Sequence, residues 1–240
     1  MPRGKTVFVT GGTGHIGIAI CRACHRHGAR VIFSYRRQRR IAEQLLAELP
    51  GSLAVELDLL DVPAMQRAID ALYAQVGIID VLVNNAGISQ VMPLPLVEEE
   101  DVDLIMDVNI KGTFFVTKNV VKGMIRNKGG AIVNVGSIAG TRMFEVPVTY
   151  AMTKAAIHGL TFALASELKR FGIRVNSVVP GLIDGGVGEG VPEALKKDFV
   201  AHCAVGRTGR ADEVAETICF LASDKSSYIN GQNIAIDGGI

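Results

Sequence analysis

Short runs of apolar, β-branched residues alternate with longer amphipathic stretches along almost the whole chain. The runs Thr6–Thr10, Arg30–Phe33, Leu53–Leu57, Val81–Asn84, Ala131–Val135, Arg174–Val178 and Asn233–Ile236 predict strands. They are apolar at successive positions, not alternate ones, which is the pattern of a parallel sheet covered by helices on both faces. Between them the spacing predicts helices near 16–27, 38–48, 62–76, 100–127, 150–171 and 211–222. Each crossover has room for one helix, so the expected fold is α/β: a single-domain, doubly wound, seven-stranded parallel sheet over residues 1–240. No repeat or linker interrupts it. The stretch Pro180–Pro192, with Gly181, Gly185, Gly186, Gly188 and Gly190, is expected to be loop and part of a mobile substrate lid near 180–205.

Composition adds limits. With 48% apolar residues and a formal net charge of +1, the chain can bury a large core and has no electrostatic bias toward nucleic acid or membranes. Met1-Pro2-Arg3-Gly4-Lys5 leads straight into the first strand without the apolar segment of a signal peptide, so a cytoplasmic protein is expected. Cys21-Arg22-Ala23-Cys24-His25 matches the pattern of covalent haem attachment. It lies inside the first helix, however, where cysteines three apart share a face and serve packing, so no haem or metal is expected. Cys203 and Cys219 are isolated.

Chemistry first surfaces at Thr10-Gly11-Gly12-Thr13-Gly14-His15-Ile16-Gly17, which joins the first strand to the first helix. A dinucleotide diphosphate can meet free helix N–H groups there if glycines let the backbone approach. The second strand runs into Ser34-Tyr35-Arg36-Arg37, with no carboxylate before Glu43. A carboxylate would bind a ribose 2′-hydroxyl and repel a 2′-phosphate, whereas a guanidinium grips the phosphate. The expected cofactor is therefore NADP(H), the alternative being a solvated basic helix start.

Asn84-Asn85-Ala86-Gly87 closes the fourth strand, Asn109 lies in the next helix, Ser137 ends the fifth strand, and Tyr150-Ala151-Met152-Thr153-Lys154 opens the helix after it. With the glycine turn before them and Gly231-Gln232-Asn233-Ile234-Ala235-Ile236-Asp237-Gly238-Gly239 at the end, the chain resembles the classical short-chain dehydrogenases/reductases throughout its length. Tyr150 and Lys154 share a helical face. A free phenol titrates near pH ~10, so a neighbouring ammonium and a positive nicotinamide ring are what would bring Tyr150 into use as a proton donor and acceptor. Ser137 can stabilise the charge developing on a carbonyl oxygen. The resemblance further implies that Lys154 holds the nicotinamide ribose and that Asn109 holds a water linking Lys154 to solvent. It places Asp58, followed by Leu59, at the adenine amino group, the alternative being a cap for the helix that begins near Asp61, and Asn85, Ala86 and Gly87 along the adenine ribose. Pro180-Gly181 would open the loop over the nicotinamide, with the Ile183 backbone fixing the carboxamide. A homotetramer is implied, or failing that a dimer.

Three positions depart from the family pattern: His15 stands for its usual middle glycine, Met152 for a small residue, and Gly185 for a threonine that often contacts cofactor. The style is most like 3-oxoacyl-acyl-carrier-protein reductases and polyketide ketoreductases, which implies a ketone substrate, free or carried on a protein. Arg126, Lys128, Lys169 and Arg170 are candidates for a basic rim that docks an acidic carrier, or equally are solvated helix ends, and Met143, Phe144 and Val146 suit an apolar substrate. The alternatives are an NADP-dependent alcohol or carbonyl dehydrogenase of free small molecules, and a noncatalytic NADP-sensing protein. Retention of Ser137, Tyr150 and Lys154 argues against the last.

Overall fold

The computed structural model describes residues 4–240. Its seven strands are β1 Thr6–Val9, β2 Arg30–Tyr35, β3 Leu53–Glu56, β4 Val81–Asn84, β5 Gly130–Val135, β6 Ile173–Pro180 and β7 Asn233–Ile236. They pair in parallel in the order β3-β2-β1-β4-β5-β6-β7. The order reverses between β1 and β4, which opens a crevice beyond their carboxyl ends where such sheets bind ligands.

The helices are α1 His15–Arg26, α2 Arg39–Glu48, α3 Val62–Val76, α4 Glu99–Met106, α5 Thr113–Arg126, α6 Val148–Leu168, α7 Glu193–His202 and α8 Ala211–Leu221. Alternation along each strand divides the core in two. Val7, Val9, Val31, Phe33, Val81 and Val83 pack toward α1, α2 and α8. Phe8, Ile32, Leu82, Ile132 and Val175 pack toward α3, α5 and α6. Both faces are dry, so strand residues of either parity are apolar. Local signals set the helix ends: the Asp61 carboxylate accepts from Ala64 N at 2.9 Å at the start of α3, Pro63 sits in its first turn, and Gly77 ends it at φ 76°. No helix among the described residues is long and apolar enough to cross a membrane.

The structure corrects the sequence reading in three places. The helix expected over 100–127 is broken by a π-helical turn, Asp107–Gly112. Two anchors explain it. The Asn109 side chain is bonded to both backbone groups of Ile88, and Gly112 passes so close to Leu59 that a Cβ there would lie 2.7 Å from the leucine Cβ. One extra residue in the turn satisfies both. The glycine-rich stretch thought to be loop begins inside β6, since Pro180 pairs with Ile236. Within the expected lid, residues 193–202 form α7, whose Phe199 is buried against Ile138, Val179 and Cys203. Finally, Arg126 and Lys128 directly precede β5, and Lys169 and Arg170 directly precede β6. They therefore lie at the amino edge of the sheet, opposite the crevice, and cannot rim its mouth. Arg126 and Arg170 instead stack on Tyr73 and Phe171, 5.7 and 4.8 Å from the ring centroids.

The Cys21 and Cys24 side chains face the core, and Cys24 Sγ lies 3.7 Å from Cys219 Sγ where α1 crosses α8. His25 turns to the Pro50 carbonyl at 3.2 Å.

Candidate active site

The glycine turn is held from below by polar side chains. Ser34 Oγ accepts from Gly11 N at 3.0 Å, and Thr10 Oγ1 accepts from Asn85 N and Ala86 N, each at 3.0 Å. The Asn85 amide reaches back and donates to the carbonyls of Thr10 and Gly11 at 2.9 and 3.1 Å. Gly11 needs φ +64° and packs on Ala86, whose Cα would lie 2.9 Å from any Cβ at position 11. The side chain of Asn85 thus braces the turn. Thr10 and Ser34 share that task, and no spacing signal in the sequence marked them.

The turn leaves α1 open for an anion. Its N-cap, Gly14, provides no side-chain bond, and its first turn carries no acid. Gly14, His15, Ile16 and Gly17 stand around this end, with Thr13 buried behind them. The N–H groups and the positive helix end fit a diphosphate. Beside the turn, the end of β2 and the loop after β3 enclose a cleft of about 420 Å³ lined by Arg36, Arg37, Glu56, Asp58, Asp61 and Ala64. Arg36 Nε lies 3.3 Å from Asp58 Oδ2, both partly exposed, while Tyr35 closes the strand above and Leu59 is buried behind the cleft.

Across the switch point a second group converges. Lys154 is buried, its Nζ donating to the Val135 carbonyl at 2.9 Å and lying 5.6 Å from the centre of the Tyr150 ring. Asn109 Oδ1 accepts from Ile88 N at 2.8 Å, and its Nδ2 donates to Ile88 O at 2.9 Å and Thr153 Oγ1 at 3.0 Å. Thr153 in turn donates to Tyr150 O at 2.9 Å, so α6 and the π-turn are locked together one turn from Tyr150. Gly87 leaves this corner open, since a Cβ on it would meet Asn109 Oδ1 at 3.2 Å and Lys154 Nζ at 3.8 Å. Ser137 follows β5 half-buried, and its Oγ accepts from Ala139 N at 3.1 Å, which leaves the hydroxyl proton free to donate. Ile183, below Pro180-Gly181, is buried and bridges to Gly209.

A family model described as enoyl-(acyl carrier protein) reductase matches residues 12–240. The 3-oxoacyl-acyl-carrier-protein reductase of Thermotoga maritima is 39% identical over 241 residues, covering 99% of this chain and 98% of that protein. The enzyme of the same name from Staphylococcus aureus is 34% identical, covering 98% of each. A crystal structure of a gluconate 5-dehydrogenase from Burkholderia cenocepacia, in complex with NADP and tartrate, superposes with a TM-score of 0.93 at 30% identity, covering 99% of this chain and 95% of that one. The chain belongs to the short-chain dehydrogenase/reductase family. As a short-chain dehydrogenase/reductase it is an oxidoreductase of the CH–OH/C=O pair that uses a nicotinamide cofactor.

In this short-chain dehydrogenase/reductase, one residue near the site went unmarked in the sequence. His158 continues the Tyr150–Lys154 face by one more turn and is buried, with its Nε2 unpartnered among the described residues. A Cβ on Gly136 would lie 2.5 Å from that nitrogen, so only glycine fits between β5 and the imidazole. Burial, and secondarily the Lys154 charge, pushes the His158 pKa below its ordinary value. A lone histidine inside an apolar helix carries no sequence signature.

Proposed function

We propose that the chain is an NADPH-dependent carbonyl reductase whose substrate is a ketone, foremost a 3-oxoacyl thioester carried by an acyl carrier protein or polyketide assembly. The observation that carries it is the corner where Lys154 and Asn109 meet at Gly87, with Asn109 tied through Thr153 to the Tyr150 carbonyl, at the carboxyl ends of β4 and β5. The names of the Thermotoga and Staphylococcus relatives support the substrate class.

The cofactor, when bound, supplies hydride to the carbonyl carbon. Tyr150 gives its hydroxyl proton to the carbonyl oxygen, and the free Ser137 hydroxyl proton donates to that same oxygen as negative charge builds there. Lys154 spends one N–H on Val135 O and keeps two, one for the nicotinamide ribose and one facing Tyr150, where its charge stabilises the phenolate. The donors of Asn109 are both used, so a water there is held by Oδ1 or the backbone. The anion-ready end of α1 takes the diphosphate, with Gly11, Thr13, Gly14, His15, Ile16 and Gly17 around it. Tyr35, Arg36 and Arg37 take the adenosine ribose and its 2′-phosphate. Asp58 and Leu59 face the adenine, Asn85, Ala86 and Gly87 its ribose, and Pro180, Gly181 and Ile183 the nicotinamide. Residues 180–205 act as the lid over a single domain, and basic groups on the crevice side, Arg142, Lys196 and Lys197, would receive a carrier protein.

The apolar groove of about 430 Å³ between α5 and α6, lined by Ile110, Phe114, Phe115, Ile157 and Leu160, supports assembly into a homotetramer or dimer through this face. The four buried free thiols suit the reducing cytoplasm. A second reading, a dehydrogenase of a free small molecule, is favoured by the sugar-acid name of the Burkholderia neighbour.

The test is single-turnover NADPH oxidation with acyl-thioester ketones and free ketones. Tyr150→Phe keeps the ring and removes the proton, so hydride transfer should fall at least about 100-fold with NADPH affinity retained. Transfer at the parent rate by the folded, cofactor-bound variant overturns the assignment.

A further inference from the structure

Two departures from the family pattern meet in space. Gly185 and Gly186 stand at φ +82° and +56° directly over His15. A Cβ built on Gly185 would fall 2.6 Å from His15 Cε1 and 2.7 Å from Nε2, and one on Gly186 would fall 2.9 Å from His15 Cβ. The imidazole therefore occupies the volume that a side chain at position 185 would fill. The segment is also fixed at its root. Asp184 N donates to Gly209 O at 2.9 Å, Gly209 N to Leu182 O at 2.9 Å, and Thr208 hydrogen-bonds the Asp184 carboxylate. With the root tied to 208–209, the glycines lie on the His15 ring at the opening of α1.

Of the residues at that helix end, Gly14, Ile16 and Gly17 have no polar side chain and Thr13 is buried behind them, so His15 is the exposed side-chain donor beside the helix N–H groups. We infer that the His15 imidazole, standing in the space vacated at Gly185, is the side chain that meets the cofactor diphosphate from the lid side. This rests on the cofactor site proposed above. An imidazole N–H on a diphosphate oxygen is a charge-assisted hydrogen bond, added to those of the helix N–H groups. The missing side chain at Gly185 and the added one at His15 are then a single exchange. The contact to the cofactor moves from the lid to the turn, and the lid must stay bare to allow it.

That exchange predicts non-additivity. His15→Ala removes the imidazole. Gly185→Ala displaces it, because the ring is exposed and swings out to solvent without unfolding anything. Each change should weaken cofactor binding about tenfold, the loss of one hydrogen bond to a charged group. The backbone strain of alanine at a positive φ is the same with or without His15 and cancels in the comparison. Gly185→Ala should therefore cost at least about five-fold less affinity in the His15→Ala background than in the parent. Fluorescence titration of the parent, both single variants and the double variant is done with NADPH and with NADH, which share the diphosphate but not the 2′-phosphate. Equal costs in the two backgrounds overturn the inference, as does parental affinity in His15→Ala. A parent that binds NADH but not NADPH refutes the 2′-phosphate reading while the NADH cycle still decides the His15 contact. A parent that binds neither overturns both.

Discussion

Replacing Gly17 by alanine asks how tightly the turn is built. Gly17 lies in the first turn of α1, where alanine ordinarily gains about 1 kcal/mol over glycine. Here its Cβ would sit 2.2 Å from Gly11 O, 2.9 Å from Gly12 Cα and 3.0 Å from Asn85 Nδ2. The two nearest are backbone atoms, which no rotamer change can move. Forcing a carbon into a packed site costs about 1–3 kcal/mol. Displacing the Asn85 amide also endangers its bonds to Thr10 O and Gly11 O, worth about 1 kcal/mol each. Set against the helix gain, the net loss is about 2 kcal/mol if the Asn85 bonds re-form and up to about 4 kcal/mol if both are lost, a fall in Tm of at least about 4–8 °C for a chain of this size. Circular-dichroism melting reads it, with urea titration at unchanged slope as the equilibrium check. The neighbour Gly14 provides the control, since its Cβ would meet only Gly11 O at 3.4 Å. Gly14→Ala should then lose no more than about 1 kcal/mol, the scale of an N-cap effect. A Gly17→Ala protein melting within about 2 °C of the parent would refute the packing argument.

Arg36→Ala should raise the Kd for NADPH about tenfold, less than a buried charged contact because Arg36 is partly exposed and shared with Asp58, and leave NADH almost unchanged by isothermal titration. His158 gives stability a pH dependence of definite sign. Below its ordinary value near ~6.5 the unfolded chain takes up a proton that the buried imidazole resists, so stability is lost as pH falls, until the depressed native value is reached. Urea midpoints from pH 7 to pH 5 should show His158→Leu losing less stability than the parent, and parallel curves would contradict this. Phe114→Glu, on the exposed rim of the α5–α6 groove, should shift light scattering of an oligomer toward smaller species, while a parent already monomeric at micromolar concentration rules out the assembly.

Most of the sheet was legible because burial on both faces forces apolar runs such as Val7-Phe8-Val9, whatever the details of packing. Helix phase was less so. The π-turn at 107–112 answers to contacts with Ile88 and Leu59, which are distant in sequence, and a period of 3.6 carries no sign of them. The helix α7 was hidden by the glycines before it, and its stability comes from Phe199 docking on β5 and β6 neighbours. At the site, residue types declared themselves where chemistry needs them, as with Tyr150 and Lys154. Bracing groups did not: Thr10 and Ser34 hold the glycine turn through bonds between separate strands, and Asn85, marked for the adenine ribose, spends its side chain on the turn. The basic rim failed for a geometric reason. Helix ends alternate between the two edges of a doubly wound sheet, and charge alone does not say which edge a residue occupies.

The placement of the thiols has a practical consequence. All four cysteines are buried, and burial lifts the Cys21 thiol well above its usual range, while Cys24 is raised chiefly by its contact with Cys219. An alkylating reagent needs an accessible thiolate. The folded chain therefore carries a built-in clock for its own opening. Cys21, Cys24 and Cys219 time the separation of α1 from α8, while Cys203, beside α7, times the release of the segment after the glycines. Mass spectrometry of pulse-alkylated protein reads each cysteine site separately, so it can tell a local excursion of that segment from the separation of α1 and α8 without any residue being substituted.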